Sequence, residues 1–420
     1  MNKIYKDALK HQVFKIISDA STETGVSSYV VGGFVRDYLL GIKNDDIDIV
    51  VEGSGIEFAK YFSDKVHGKL SYFENYGTAS VKWKDIEIEF VGARKETYER
   101  GSRKPIVEEG TLYDDISRRD FTINAMALSL NHDNYGELID YFNGFHDLNL
   151  KIIKTPLNPD VTFSDDPLRM FRAIRFATKL NGFLISDSIK ESIKKNSYRC
   201  DILSRERITD EITKMLSYDN PKNGLVLLNE LNLWDWAFPR NKFNDVNVFC
   251  ASDNNNIVVR WFFISMNYES DYLSFIHEMK LSKELAKKLE KIKYTFDNFK
   301  DMNFPDISKV RHCLDFSGRY AFTAIFSVLS YVSKISNICD NDILDWYDYT
   351  YRIFNENLEF IDYVLPCDGK VISQYSLIPE GKELGYLIKL IKEEILSGRL
   401  NNTKDSVLAY ATHVKFMKKY

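Results

Sequence analysis

The sequence predicts an α+β fold, in which a small mixed sheet with helices comes first and an all-helical part follows. Between residues 26 and 150, short apolar runs with β-branched residues alternate with polar turns, as in SSYVVGG, DIDIVVEG, TASVKW and IEIEFVGA. From about residue 165 onward, apolar residues recur three and four positions apart behind Ser or Asp, which indicates capped amphipathic helices. This organisation predicts three regions, 1–155, 156–220 and 221–420.

Length and composition agree with a globular protein of two or three domains rather than a disordered or fibrous chain. The 420 residues are 44% hydrophobic and 28% charged, with a formal net charge of −5. A chain this acidic would bind RNA through a local basic face, because phosphate binding depends on where the positive charge lies.

Targeting signals and cysteine spacing indicate the cytoplasm. The N-terminus has no signal-peptide apolar core, and no uncharged apolar run is long enough to cross a bilayer. The cysteines lack C-x-x-C pairs, which predicts buried free thiols in a reducing compartment rather than a disulfide framework or a zinc site. We therefore expect a cytoplasmic protein with no membrane contact.

A glycine pair ends the first predicted strand and precedes a helix in the segment VVGGFVRDYLLGIKNDDIDIVV. Gly32 and Gly33 allow the backbone to approach a ligand closely, and the helix that follows offers unpaired N–H groups to a phosphate. A glycine pair is equally typical of an ordinary tight turn between a strand and a helix. By itself the pair leaves both interpretations open.

Two aspartates follow on the next predicted strand. Alternation points Asp46 and Asp48 to one face, while Ile47 and Ile49 enter the core. Neighbouring carboxylates disfavour a strand. A divalent cation such as Mg²⁺, which prefers oxygen ligands beside substrate phosphates, would offset that cost. The alternative is a solvated edge strand, but the glycine turn upstream favours a metal site.

A third carboxylate would complete a two-metal site. Glu87 and Glu89 share one face of a later strand, in DIEIEFVGAR, opposite Ile86, Ile88 and Phe90. Glu89 is the candidate and Glu87 the alternative, and a solvated strand face explains the two glutamates about equally well.

Four segments carry a resemblance to a known family. GGFVRDYLLG, DIDIVV, RRDFTINAMAL and DDPLRMFRAIRFA occur in this order and together resemble the class II tRNA nucleotidyltransferases, or CCA-adding enzymes, and their bacterial poly(A) polymerase relatives. The strong match spans roughly the first half of the chain. It implies a nucleotidyltransferase catalytic head in 1–155, a helical neck with a nucleotide-selecting helix in 156–220, and a helical body and tail that bind tRNA in 221–420.

The resemblance also implies a reaction and the residues that carry it out. Asp46 and Asp48 would bind Mg²⁺, and a primer 3′-hydroxyl would attack the α-phosphate of CTP or ATP with release of pyrophosphate. By the same match, four residues hold the nucleotide and its triphosphate: Gly32, Gly33, Arg36 and Arg119. Asp120 and Asn124, in the segment RRDFTINA, are expected to brace its turn.

The helix predicted after Asp165 carries four charged side chains three residues apart: Asp166, Arg169, Arg172 and Arg175. Cytosine and adenine both present an amine donor beside a ring-nitrogen acceptor, which a fixed Asp166–Arg169 pair can bind. Uracil and guanine present the opposite pattern and would be rejected. The resemblance assigns Arg172 and Arg175 to phosphate or ribose. The alternative is an N-cap aspartate and a solvated basic stripe, which explains three regularly spaced arginines poorly.

A long polar stretch, residues 95–117, exceeds ordinary connections, and such stretches are often functional or mobile. In relatives a flexible loop here helps to switch the pocket from C to A, so its presence favours A addition over an insertion without a role. We predict an enzyme that adds CCA to tRNA, as a monomer or homodimer, with CTP and ATP as substrates and Mg²⁺ as cofactor. Four alternatives remain: a poly(A) polymerase, an enzyme that adds only CC, one that adds only A, and a non-catalytic tRNA-binding relative.

Overall fold

The structure, a computed structural model, forms two units, Met1–Arg240 with the sheet and Asn241–Tyr420 with helices. This confirms the predicted α+β class. The described residues are 3–74, 77–97, 106–244, 248, 255–266, 268, 272–300, 303–335 and 340–417. The division into three regions stays a prediction, although helices beyond residue 220 still belong to the first unit.

A seven-stranded mixed sheet organises the first unit, with the strand order β3-β4-β5-β2-β1-β8-β9. β2 and β5 are parallel, and the other neighbouring pairs are antiparallel. Its strands are β1 (Ser28–Val31), β2 (Ile47–Val51), β3 (Lys69–Phe73), β4 (Thr78–Trp83), β5 (Ile86–Gly92), β8 (Ala127–Ser129) and β9 (Leu138–Ile139). Two small ladders pair β6 (Arg94–Thr97) with β7 (Ile106–Glu109) and β10 (Ile152–Ile153) with β11 (Leu184–Ile185).

The α-helices of the first unit are α1 (Gln12–Thr24), α2 (Gly33–Leu39), α3 (Gly55–Val66), α4 (Leu112–Ser117), α5 (Gly144–Leu150), α6 (Pro159–Asp165), α7 (Leu168–Lys179), α8 (Asp187–Asn196), α9 (Arg205–Leu216), α10 (Lys222–Glu230) and α11 (Trp234–Ala237). In the second unit the described helices are Ile257–Ser265, Tyr272–Glu278, Lys283–Phe299, Ile307–Ile335 with a kink at Gly318, Asp340–Glu356, Gly369–Ser376, Lys382–Leu396 and Lys404–Met417. Over the ranges that can be described, no helix is both long and apolar enough to cross a membrane.

Helix α3 covers one face of the sheet because alternate residues of β2 and β5 are apolar. Phe58 and Phe62 pack on Phe90 at ring-centroid distances of 5.7 and 5.2 Å. All three rings are buried, and burying such a side chain contributes about 1.5–3 kcal/mol. Asp48 and Glu89 have the opposite parity and therefore lie on the other face.

Helix α4 covers that other face. Its Leu112 and Ile116 belong to a buried cluster that also contains Val50 and Ala127 of the sheet. It begins at a capping box, in which Thr111 accepts from the Asp114 N–H and the Asp114 side chain accepts from the Thr111 N–H. Because α4 begins within the stretch that we expected to be a long connection, residues 95–117 are not a loop throughout.

In its described part this stretch instead contains the hairpin strands β6 and β7 and the helix α4. Residues 98–105 lie outside the described residues. Sequence periodicity missed the hairpin because β6 is polar and the two apolar residues of β7, Ile106 and Val107, are adjacent, so neither strand has the apolar alternation of a core strand.

Cysteine chemistry follows the prediction at the described positions. Cys200 and Cys313 are buried free thiols, and Cys367 is a half-buried free thiol. Burial raises the pKa of Cys200 and of Cys313 to about 12, so neither is a reactive thiolate near neutral pH. Cys250 and Cys339 lie outside the described residues.

Candidate active site

The glycine turn after β1 lies against the guanidinium of Arg119. Gly32 has φ 70° and ψ −126°, a backbone conformation that favours glycine. A β-carbon at this position would lie 2.9 Å from Arg119 Nη1. The absence of a side chain at Gly32 therefore gives Arg119 its place beside the turn, although the two residues are far apart in sequence.

The two predicted metal ligands lie where β2 begins. Asp46 precedes the strand by one residue and is exposed, whereas Asp48 is half-buried within it, between the buried Ile47 and Ile49. Burial raises the pKa of Asp48, the nearby Arg119 opposes this shift, and the negative charge of Asp46 adds to it. The two carboxylates are therefore close enough to repel each other, with a cationic side chain near the more buried one.

The parallel pairing of β2 and β5 places Glu89 opposite Asp48. Burial raises the pKa of Glu89, and the charges of Asp48 and Glu87 raise it further, while Arg94 opposes them. Glu87 instead accepts a hydrogen bond from Ser80 Oγ at 2.5 Å. This register favours Glu89 over Glu87 as the third carboxylate, and its catalytic role stays a prediction.

Helix α4 delivers Arg119 to this place. At its start, the Leu112 N–H donates to Glu52 Oε1 at 2.9 Å, beyond the end of β2. After its last turn, Arg119 donates through Nε and Nη2 to Asp115 Oδ2 at 3.1 and 2.9 Å. Asp115 is fully buried and also binds the Arg118 guanidinium. Burial opposes the ionisation of Asp115, but the two arginines outweigh it and hold its pKa below the usual value.

The predicted base-selecting pair lies at the start of α7. Asp166 Oδ1 accepts from the Leu168 N–H at 3.1 Å, and its Oδ2 accepts from Arg207 Nη2 at 3.0 Å. Arg169 donates through Nη2 to the backbone carbonyl of Arg118 at 2.7 Å. Asp166 therefore accepts the first N–H of α7, although the N-cap residue of this helix is Pro167 and not Asp166 as the alternative interpretation has it. It also has a long-range arginine partner.

The other two arginines of α7 hold the first unit together. Arg172 donates through Nε to Asp120 Oδ2 at 2.7 Å, and Arg175 donates through Nε to Glu211 Oε2 at 2.6 Å. Asp120 and Glu211 are buried. Both arginines also lie over the ring of Phe176, with the guanidinium carbons 5.5 and 4.5 Å from its centroid. These contacts are structural, and the predicted contacts with phosphate or ribose stay predictions.

Asp120 occupies the centre of a buried turn. Its Oδ1 accepts from the Phe121 N–H at 2.8 Å and from Asn124 Nδ2 at 3.0 Å. Burial opposes its ionisation, but Arg172 and the Asn124 hydrogen bond outweigh this effect, so the pKa of Asp120 is lowered. These bonds give Asp120 and Asn124 the bracing role that we expected for this segment.

Arg36 is buried and supports the loop that carries Asp46. Its Nε and Nη2 lie 2.7 and 2.6 Å from Asp37 Oδ1, and its Nη1 donates to Asn124 Oδ1 at 2.6 Å. Asn44 then donates to Asp37 Oδ2 at 2.8 Å and accepts from the Asp46 N–H at 2.9 Å. Arg36 is only 3% exposed, and its predicted contact with a triphosphate stays a prediction.

These bonds join into one chain of polar contacts from the Asp46 loop to α7. The chain passes through Asn44, Asp37, Arg36, Asn124, Asp120 and Arg172. Sequence reasoning singled out neither Asp37 nor Asn44, and it also missed Asp115. The only local signal was the spacing of Asp115 from Arg118 and Arg119, which suits helical ion pairs.

Lys179 is a further cation that the sequence analysis missed. It ends α7, one turn beyond Arg175, and its side chain is exposed. Although the side chain reaches solvent, desolvation by its neighbours lowers the pKa of Lys179, and the charges of Arg36 and Arg175 lower it further, while Asp37 and Asp46 oppose that shift. The end of α7 therefore lies within electrostatic reach of the Asp46 loop.

The carboxylates suit a hard divalent cation that takes further ligands from substrate. Asp46 and Asp48 offer the oxygen donors that Mg²⁺ prefers, and their mutual repulsion is what a cation would relieve. Among the described residues, no three Asp, Glu, His or Cys side chains form a group that could hold a metal alone. A Mg²⁺ ion on Asp46 and Asp48 would therefore take its remaining ligands from phosphates and water, and the role of Glu89 as a third carboxylate stays a prediction.

Two family profiles match residues that lie almost entirely in the first unit. The Poly A polymerase head domain matches residues 28–154, and the probable RNA and SrmB-binding site of polymerase A matches residues 182–242. The first match contains the sheet, the glycine turn and the carboxylates.

Curated relatives and solved structures are similar to the chain over different spans. An A-adding tRNA nucleotidyltransferase of Aquifex aeolicus is 45% identical over 46% of the chain, which spans only 23% of that relative's length. A CCA-adding enzyme of Ligilactobacillus salivarius is 27% identical over 93% of both chains. A crystal structure of a tRNA nucleotidyltransferase with a primer tRNA and an incoming ATP analogue has a TM-score of 0.65 at 26% identity, covering 81% of this chain and 99% of that one.

The fold and its charged site define a head domain of the nucleotidyltransferase type. The two profiles cover this head and the helices after α7, and the similarity to the Ligilactobacillus enzyme extends over nearly the whole chain. Over these spans the chain is similar to the class II tRNA nucleotidyltransferases and to the poly(A) polymerases.

Proposed function

We propose that the protein builds or repairs the CCA end of tRNA, using CTP and ATP without a nucleic-acid template. One observation carries this proposal: the Arg118–Arg119 dipeptide contacts both halves of the candidate site. The carbonyl of Arg118 accepts from Arg169 of the base-selecting pair. Arg119 lies against the Gly32 turn, and its positive charge favours the ionised form of Asp48. These contacts support the proposal that the catalytic carboxylates and the base-reading residues belong to one site.

The reaction is a nucleotidyl transfer. The 3′-hydroxyl of the tRNA attacks the α-phosphorus of the incoming nucleotide, the bond to the β-phosphate oxygen breaks, and pyrophosphate leaves with its electron pair while the hydroxyl proton is released. Mg²⁺ held by Asp46 and Asp48, in a two-metal arrangement with Glu89 as the third carboxylate, would lower the pKa of the attacking hydroxyl and neutralise the departing charge.

The protein's own part is to hold and orient the nucleotide. Arg119 has Nε and Nη2 bound to Asp115, so its position is fixed before substrate arrives, and Nη1 faces the glycine turn. A guanidinium held in this way stabilises phosphate charge without reorganising during the reaction. The glycine turn allows a triphosphate to approach the backbone closely.

Base choice would come from Asp166 and Arg169. Both side chains are half-buried. Asp166 is held by the Leu168 N–H and by Arg207, and Arg169 is held by the Arg118 carbonyl. These contacts leave hydrogen-bonding capacity for a base, because a guanidinium has five N–H groups and a carboxylate has about four lone pairs. Asp166 accepts from the amine of cytosine or adenine, and Arg169 donates to the adjacent ring nitrogen. A carbonyl and a ring N–H at these positions, as in uracil and guanine, leave both contacts repulsive or unpaired.

The addition of A alone is a second candidate, and one observation favours it. The Aquifex relative, at 45% identity, is an A-adding tRNA nucleotidyltransferase. Against it stands the similarity over 93% of both chains to a CCA-adding enzyme. Because the two activities share the same head, only the products distinguish them.

Three tRNA transcripts distinguish the candidates: one ending at the discriminator base, one at the first C and one at CC. Purified protein is incubated with each transcript and Mg²⁺, with CTP and ATP supplied separately and together, and the products are sized on a sequencing gel. We expect completion to CCA from all three transcripts, and no extension beyond it. Extension of the CC transcript alone would indicate an A-adding enzyme, and a long A ladder would indicate a poly(A) polymerase. CC products without A, or no extension at all, would also contradict the proposal.

A further inference from the structure

We infer that Arg207 is a positioning residue that fixes Asp166 and thereby sets which bases the site accepts. This inference rests on the proposed function, in which Asp166 and Arg169 read the base. The pair Asp166–Arg207 is separated by 41 positions in sequence, and it exists because α9 packs beside α7.

Asp166 is held at both of its carboxylate oxygens. The Leu168 N–H binds Oδ1 at 3.1 Å from within the α7 helix start, and Arg207 Nη2 binds Oδ2 at 3.0 Å from α9. Donors on two different elements fix the plane of the carboxylate as well as its position. The Asp166 and Arg207 side chains are 23% and 37% exposed, so the pair is accessible to a ligand and is not part of a sealed core.

Arg207 is presented by a helix that is anchored on both sides of it. One turn later, the buried Glu211 accepts from Arg175 Nε at 2.6 Å, which joins α9 to α7. At the start of α9, Arg205 Nη1 donates to the carbonyl of Trp236 at 2.5 Å. The location of Arg207 therefore does not depend on its contact with Asp166.

Selection by rejection requires a rigid carboxylate. The site rejects a carbonyl of uracil or guanine only if two escapes are closed: the Asp166 oxygen must not rotate away, and no water must bridge the two groups. Without Arg207, Oδ2 loses its fixed donor and both escapes open. The contacts to a matching amine are still available after such a rotation, so discrimination is lost sooner than affinity for the correct nucleotide.

The other half of the pair has an independent brace, since Arg169 donates to the Arg118 carbonyl at 2.7 Å. Removing Arg207 therefore releases Asp166 without displacing Arg169 or Arg119. This separates the inference from a general loosening of the site, which would weaken the binding of all nucleotides together.

Equilibrium binding of CTP, UTP, ATP and GTP to the full chain with Mg²⁺ and without tRNA, measured by calorimetry, tests the inference. We expect the wild type to prefer CTP over UTP and ATP over GTP. In Arg207→Gln the affinity ratios of CTP to UTP and of ATP to GTP should each fall about tenfold, which corresponds to roughly one well-placed hydrogen bond. Arg207→Lys should retain part of both ratios. Lys214→Ala, which removes an exposed ion pair with Asp210 on the same helix, should leave both ratios unchanged.

Ratios in Arg207→Gln within twofold of those of the wild type would overturn the inference, as would a wild type without base preference. A purely structural role for Arg207 would lower affinity for all four nucleotides alike and leave the ratios intact, which is also an overturning result. Because binding is read without tRNA, failure of CCA addition in the extension assay would count against the proposed function and not against Arg207.

Discussion

Asp46→Ala is expected to abolish nucleotide addition while leaving the fold intact. Asp46 is exposed, and its loop is held through its backbone N–H and Asn44, a contact that alanine retains. Loss of a metal ligand removes several kcal/mol of transition-state stabilisation, which lowers kcat/KM about a thousandfold or more. Primer extension under single-turnover conditions measures the loss. Since Asp46 raises the pKa of Asp48, its removal relieves repulsion, and thermal unfolding should show an unchanged or slightly raised Tm.

The same loop offers a matched control. Asp45 is the adjacent aspartate, and its carboxylate pairs with Lys43 Nζ at 3.1 Å with both side chains exposed. Exposed ion pairs contribute little to stability, so the loop should keep its structure in Asp45→Ala. This variant should therefore add nucleotides at nearly the wild-type rate. Equal losses of activity in the two variants, or a Tm several degrees lower in Asp46→Ala, would contradict the assignment of Asp46 as a metal ligand.

Asp120→Ala is expected to destabilise the first unit by about 2–4 kcal/mol. The change removes the partner of Arg172 and leaves the Phe121 N–H and Asn124 Nδ2 without an acceptor. Breaking a buried ion pair costs roughly 3–5 kcal/mol. We expect a loss at the lower end of this range because the Arg172 side chain is 34% exposed and because Glu211 Oε1 still lies 3.9 Å from Arg172 Nη1. Urea unfolding followed by circular dichroism measures the loss.

The loss should depend on pH. The folded-state pKa of Asp120 is lowered, so the stabilisation from its ionised form is complete above the unfolded value of about 4 and is lost as the pH falls through the lowered folded value. The difference between wild type and Asp120→Ala should therefore be constant near neutral pH and shrink below about pH 4. Asp210→Ala, which breaks an exposed pair with Lys214, should cost less than about 1 kcal/mol. Equal costs for the two variants would contradict a central role for Asp120.

The sequence predicted the parts of the fold that depend on local periodicity. Apolar alternation located β2 and β5 and placed Asp48 and Glu89 away from the core. Helical spacing located α3 and α7. These signals are local because each element buries one face, and the period of the apolar residues matches that of the element.

The partners of the charged residues could not be predicted in the same way. The sequence predicts that Arg36, Arg172 and Arg175 contact the ligand, and it does not reveal that each of them also pairs with a buried carboxylate. Nothing in the local sequence distinguishes an arginine that binds phosphate from one that binds a distant aspartate. The pairing follows from how helices and turns pack.

Position in the sheet also decided what alternation alone left open. Glu87 and Glu89 share a strand face, and only the parallel register of β5 against β2 identifies Glu89 as the neighbour of Asp48. Likewise, the role of Asp115 depends on Arg119 lying against the Gly32 turn, and that of Asn44 depends on its bond to Asp37 of α2. Such contacts are tertiary, so a single sequence does not reveal them.

Binding of Mn²⁺ in the presence of CTP, followed by electron paramagnetic resonance, tests most directly whether Asp46 and Asp48 hold a divalent cation beside a nucleotide. Free Mn²⁺ is measured as protein is titrated in, for wild type, Asp48→Asn and Asp45→Ala. We predict that wild type and Asp45→Ala bind Mn²⁺ alike, and that Asp48→Asn binds at least about tenfold more weakly. Identical binding curves for wild type and Asp48→Asn would contradict the account.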